Sequence, residues 1–189
     1  MKHLYLLAII AITLCTSLPQ KVCAQTLAIK NNLLYDVTGT LNLGGEIRCN
    51  DNYTFNLNVY YNPWESSDNK KKKLLVFQPE YRKWFNESFI GSFVGVQAHY
   101  GLYNFGKSTP FTTVKENRYQ GTLVGFGATY GYQWILSSFW SVEASVSLGY
   151  MHLNYKKYYP DKDGLFIEKS RANYWGPTQV GISLVYFIQ

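Results

Sequence analysis

The run YQGTLVGFGATYGYQWIL (Tyr119–Leu136), a break of three residues, and WSVEASVSLGYMHLNY (Trp140–Tyr155) decide the fold of this chain. Every second residue from Val124 (Val124, Phe126, Ala128, Tyr130, Tyr132, Trp134, Leu136) is apolar or aromatic. The alternate set (Gly121, Leu123, Gly125, Gly127, Thr129, Gly131, Gln133) is mostly small or polar and carries no charge. Period two marks a β-strand, and this one is longer than most soluble strands. A bulky apolar face, a small polar face and aromatics at the strand ends form the pattern of a transmembrane β-barrel.

Working outward, the same alternation predicts eight strands: Leu27–Tyr35, Thr40–Cys49, Tyr53–Asn62, Leu74–Trp84, Phe89–Tyr103, Tyr119–Ile135, Trp140–Asn154 and Tyr174–Ile188. The fold class is therefore all-β, a closed antiparallel eight-stranded barrel of the outer-membrane type. The connections alternate in length. Asn50–Asn52, Phe85–Ser88 and Leu136–Phe139 are short, whereas Pro63–Lys73, Asn104–Arg118 and Tyr155–Asn173 are long and polar. Bacterial barrels keep short turns in the periplasm and long loops outside. Only Asp36–Gly39 is a short outer loop. The aromatics fall into two belts. Tyr53, Trp84, Phe85, Phe89, Trp134, Phe139 and Trp140 mark the inner rim. Tyr60, Tyr61, Trp64, Tyr100, Tyr103, Tyr119, Tyr155, Tyr158 and Trp175 mark the outer one.

The start of the chain reads as a secretory signal. Lys2 and His3 precede an apolar run from Leu4 to Leu14, and Val22-Cys23-Ala24 suits cleavage after Ala24. The run is too short to span a membrane as a helix. Residues 25–189 then form one domain in an exported protein. Cys15 and Cys23 leave with the signal, so Cys49 has no internal disulfide partner. No Cys/His cluster has metal-ligand spacing, and no metal or cofactor is expected. Loss of Lys2 and Lys21 with the signal takes the net charge from +6 to +4, which is mildly basic. Without a basic helical face or a nucleic-acid motif, nucleic acid is not an expected partner. The protein is expected to be a monomer.

A soluble lipocalin-like periplasmic binder is the rival architecture. It is also an eight-stranded barrel, but apolar within and charged without. The polar face of the fifth strand (Gly91, Phe93, Gly95, Gln97, His99, Gly101) is too small and uncharged for a solvated exterior.

Charges within the strands fall on the small face. Lys30, Glu46, Arg48, Glu80, Arg82 and Glu143 all belong to the periplasmic half of the interior. Three acids and three bases at one level can close into a salt-bridge network that plugs the barrel. Each buried without a partner would be costly. The plainer alternative is a polar wall lined with water. Outside, Lys70, Lys71, Lys72 and Lys73 lie in the second outer loop, and Lys156 and Lys157 begin the last. Such a rim suits the phosphates of lipopolysaccharide. It suits equally a solvated loop with no ligand.

An enzyme would need a nucleophile, a base and an orienting acid in reach of one another. The one triad available pairs His99 with Ser147, and Glu143 lies too low to complete it. His152 falls on the lipid face. The reading leans away from catalysis, with a lipid- or lipopolysaccharide-modifying enzyme as the alternative and a small channel behind it. The glycines from Gly121 to Gly131 lie on one strand face and form no nucleotide loop.

Taken together, NNLLYD (Asn31–Asp36), YNPW (Tyr61–Trp64), QPEYRKWF (Gln78–Phe85), RYQGTLVGFGATYGYQW (Arg118–Trp134) and NYWGPTQVGISLVY (Asn173–Tyr186) carry a likeness. The chain resembles a Bacteroidetes family of small outer-membrane β-barrel proteins of unknown function, often encoded near fimbrial genes. The resemblance implies an outer-membrane barrel in a Gram-negative bacterium and hints at a fimbrial or other surface partner. It implies no catalytic residue and no cofactor. The chain departs from a common barrel ending, since Phe187 lies two residues short of the C-terminus and Tyr186 is on the other face.

Overall fold

The computed structural model describes residues 27–65, 71–106, 117–159 and 165–188. The expected signal segment and Lys70 lie outside them. Eight antiparallel strands follow one another around a closed ring: β1 (Leu27–Asn32), β2 (Leu41–Asn50), β3 (Tyr53–Glu65), β4 (Lys71–Trp84), β5 (Gly91–Gly106), β6 (Arg118–Ile135), β7 (Trp140–Tyr158) and β8 (Phe166–Ile188). β1 closes the ring by pairing with β8, from Leu27 opposite Ile188 to Asn32 opposite Ser183. No strand edge is left unpaired at that seam, which is how a ring removes the open-edge problem of a flat sheet. Among the described residues no helix is long and apolar enough to cross a membrane.

Several expected boundaries are corrected, including the start of β5, which is Gly91 rather than Phe89. β1 stops at Asn32, three residues early, and Leu33–Val37 forms a one-turn helix, α1. The Asn32 carboxamide accepts from the Leu34 N–H at 3.1 Å and caps that turn. The strands also continue into the expected long loops. β7 and β8 pair as far as Tyr158 opposite Phe166, with Lys156 opposite Lys169 and Lys157 opposite Glu168. Polar residues fall on both faces there (Lys156 and Lys169 on one, Lys157 and Glu168 on the other), so the apolar alternation that reveals a strand is missing although the ladder persists. Tyr159 N–H still donates to Leu165 O at 3.1 Å.

The ring is apolar outside and polar inside, the reverse of the lipocalin arrangement. Val96, Phe126 and Leu148 face outward at 65%, 58% and 60% exposure. Lys30, Glu46, Gln78, Glu80, Arg82, Gln97, His99, Thr129, Gln133, Glu143 and Ser147 are buried within. Trp84, Phe89, Tyr60 and Tyr103, all expected in the aromatic belts, are buried inside instead. Three follow from strand parity. Trp84 shares a face with Glu80 and Arg82, Tyr60 with Asn56, and Tyr103 with His99. Phe89 is turned inward by the β4–β5 turn, where it adopts φ +71° beside Gly91 at +77°.

Candidate functional site

Three layers fill the ring. The first is an aromatic floor near the short turns. Trp84 packs against Phe93 and Phe89 at centroid distances of 4.7 and 5.8 Å, and Phe89 meets Phe187 edge-on at 5.3 Å. The Trp84 indole N–H donates to Thr54 Oγ1 at 2.9 Å, which satisfies the one polar atom of that ring.

Above the floor lies a charge cluster drawn from β1, β2, β4 and β7. Lys30 Nζ donates to Glu46 Oε2 at 2.9 Å and to Glu143 Oε2. Arg82 Nη1 reaches the same two oxygens at 2.9 and 2.8 Å. Its Nε and Nη2 both bond Glu80 Oε2, at 2.9 and 2.6 Å. Asn56 adds a bond to that oxygen at 3.2 Å, and Thr54 Oγ1 donates to Glu46 Oε1 at 2.5 Å. The Arg82 guanidinium lies 4.3 Å from the Phe93 centroid, so it stacks on the floor while bonding the acids. Charge-assisted bonds on nearly every polar atom are what allow such charges to be buried.

Five of the six interior charges read from the sequence are thus brought together. Arg48 is not among them. Its guanidinium turns to the β4–β5 turn, donating to Ser88 O at 3.5 Å and lying 6.0 Å from the Phe89 centroid. The strand is irregular there, with a register shift between Arg48 and Asn50. The cluster therefore holds three acids against two bases. Glu80 Oε1 is buried without a hydrogen-bond partner among the described residues.

The third layer is built of amides and hydroxyls. Gln78 donates to Gln97 and to Gln179 Oε1, so β4 is strutted to β8 across the interior. Gln179 donates to the Tyr60 hydroxyl at 2.9 Å, and Tyr60 packs on Tyr35 of α1 at 4.4 Å. Sequence reading missed this layer. Its signal was available, because these glutamines share strand parity with the charged residues.

His99 and Ser147 are both inside but are not neighbours. His99 pairs across β6 with Gly125, whereas Ser147 is level with Thr129, which is level with Gly95. Four residues along a strand separate the two levels, about 13 Å. Ser147 Oγ instead bonds Thr129 Oγ1 at 2.9 Å. His152 lies on the outward face and bonds Asn173 through Nδ1 at 2.7 Å. Among the described residues no group of His, Cys, Asp and Glu converges as a metal site. Cys49 is exposed.

Of the outer lysines, Lys71 and Lys72 lie within β4, whose ladder pairs Lys71, Lys72 and Lys73 with Glu65, Trp64 and Pro63. Lys157 forms an ion pair with Glu168 at 3.8 Å. Lys73 and Lys156 line a groove of about 680 Å³ near the long-hairpin end, together with Lys169, Tyr61 and Tyr158.

The layers define a class: an eight-stranded antiparallel ring with an apolar exterior and a charged, side-chain-filled interior. The chain belongs to the family described as "Protein of unknown function (DUF3575)", whose model matches residues 7–188. No curated protein and no solved structure matches the chain.

Proposed function

We propose that this protein is an outer-membrane barrel with a plugged interior, which holds its long basic hairpins at the cell surface. The observation that carries this reading is the inversion of the ring. Exposed Val96, Phe126, Val146 and Leu148 surround a core of paired charges and amides. Water would oppose that outward face, and lipid would favour it. Outward aromatics support the placement. Tyr132 and Trp134, and Trp140 and Tyr186, pair at the short-turn end, while Tyr150 and Trp175 pair toward the hairpins. Rings with one polar edge favour the two interfaces of a bilayer.

The job that follows is structural or adhesive: presenting basic hairpins to lipopolysaccharide or to a partner at the surface. A fimbrial partner rests on the sequence resemblance alone. The separation of His99 from Ser147 removes the geometric support for that pair as a catalytic unit. An epitope inserted between Tyr159 and Leu165 tests the reading. It should be labelled on intact cells. Labelling only after the outer membrane is permeabilised would contradict surface display.

A further inference from the structure

The strand registers place six outward-facing residues in one row straight across six strands. Pro63 on β3 is opposite Lys73 on β4, which is opposite Asn104 on β5. Asn104 is opposite Gln120 on β6, then Lys156 on β7, then Lys169 on β8. At strand spacing the row is about 24 Å wide. All six line the same groove of about 680 Å³. On this outer surface, residues from six strands share one groove, so the wall is concave there rather than convex.

The chemistry of the groove changes with height. The row itself carries three lysines, amides and a proline, and no acid. The next row toward the short turns begins Tyr61, Leu75, Leu102 and Thr122. The row after that is Val59, Phe77, Tyr100 and Val124. Cations therefore stand directly above a half-apolar step, and the step stands on the apolar wall. On β7 and β8 the polar zone reaches lower. There Asn154 faces Arg171, and Tyr150 and His152 both bond the Asn173 carboxamide, at 2.8 and 2.7 Å. Above the row, Arg118 stacks on Tyr158, its Cζ 4.7 Å from the ring centroid.

We infer that this groove binds the phosphorylated headgroup of an outer-leaflet glycolipid, with its acyl chains running down the apolar wall. The inference rests on the membrane reading above and narrows it. Contact with the lipid comes from the outward side of the strands, through Lys156 and Lys169. Lys157, on the opposite face and paired with Glu168, takes no part. Charge complementarity selects the occupant. Cations concave around a polar floor suit clustered phosphates, and the graded apolar wall suits the chains that such a headgroup carries. A soluble polyanion would leave that wall unused.

The test uses purified protein folded in detergent, checked by a heat-dependent shift on a gel, and native mass spectrometry. The probes are a bisphosphorylated glucosamine-disaccharide lipid, the same lipid without phosphates, and inorganic phosphate. The phosphorylated lipid should bind at least tenfold more tightly than its dephosphorylated form. Inorganic phosphate at millimolar concentration should not displace it. K156Q/K169Q should keep the heat shift and lose at least tenfold in affinity, while K157Q should stay within twofold of the parent. Equal binding of the two lipids, displacement by inorganic phosphate, or an unaffected K156Q/K169Q would overturn the groove and leave the barrel standing. A parent chain with no heat shift would overturn the barrel, and the groove with it.

Discussion

Lys30 and Arg82 donate to the same two carboxylate oxygens, Glu46 Oε2 and Glu143 Oε2. The two cations come from β1 and β4, the two acids from β2 and β7. Strands far apart around the ring are therefore tied through its centre. Backbone ladders link only adjacent strands, so this cluster is a main source of coupling between opposite walls.

Arg82 is the member whose loss should matter most. Arg82→Met removes the cationic partner of Glu80 and leaves Lys30 as the one cation among three buried acids of the cluster. Breaking a buried charge network from one side costs about 3–5 kcal/mol. Unfolding by urea in detergent should show a loss of at least that size. A change below about 1 kcal/mol would mean the interior is wet and the pairing weak.

The three acids should not be equivalent. Glu46 engages both oxygens, with Thr54 on one and both cations on the other. Glu80 leaves Oε1 without a partner, and the cluster has one acid more than it has bases. Glu80→Gln removes that excess and keeps an acceptor for Arg82, so it should stay within about 1 kcal/mol of the parent. Glu46→Gln weakens bonds to two cations and should cost about 2 kcal/mol or more. The same unfolding assay ranks them, and the reverse order would refute the pairing.

Two glycines give a matched pair for packing. A methyl at Gly131 would sit 2.6 Å from Phe93 Cε1, closer still to Phe93 Cζ, and 2.9 Å from Ala144 O. Gly131→Ala should destabilise by about 1–3 kcal/mol, because neither the floor ring nor the backbone can move far. At Gly45 nothing lies within 4 Å of an added methyl. Gly45→Ala should be neutral to about 0.5 kcal/mol. Equal effects would show that the floor is loosely packed.

A filled ring should not conduct. The floor, the charge cluster and the Gln78–Gln179 strut each cross the interior. In planar bilayers the protein should give no large, steady open state. Such a state would contradict the plug directly.

Much of this was readable from residues. The alternation through β6 and β7 gave the ring and its two faces, because a one-residue slip would send every apolar side chain inward. Parity alone placed Lys30, Glu46, Glu80, Arg82 and Glu143 on one face. What it could not give was height. Strands in a barrel tilt and stagger, so residues expected at one level need not meet, as Arg48 shows. Phe89 escaped reading because a left-handed turn, not a strand, aims it. The groove escaped because Lys73, Lys156 and Lys169 belong to stretches with no apolar alternation. Their alignment exists only in the register.

The most direct test of an outward apolar wall around a closed ring is fractionation with heat-modifiability. Outer membranes are isolated and extracted with detergent, and the protein is run on a gel boiled and unboiled. It should be found in the outer-membrane fraction and migrate differently after boiling, as a closed barrel does when it unfolds. Recovery as a soluble periplasmic protein, with one mobility under both conditions, would contradict it.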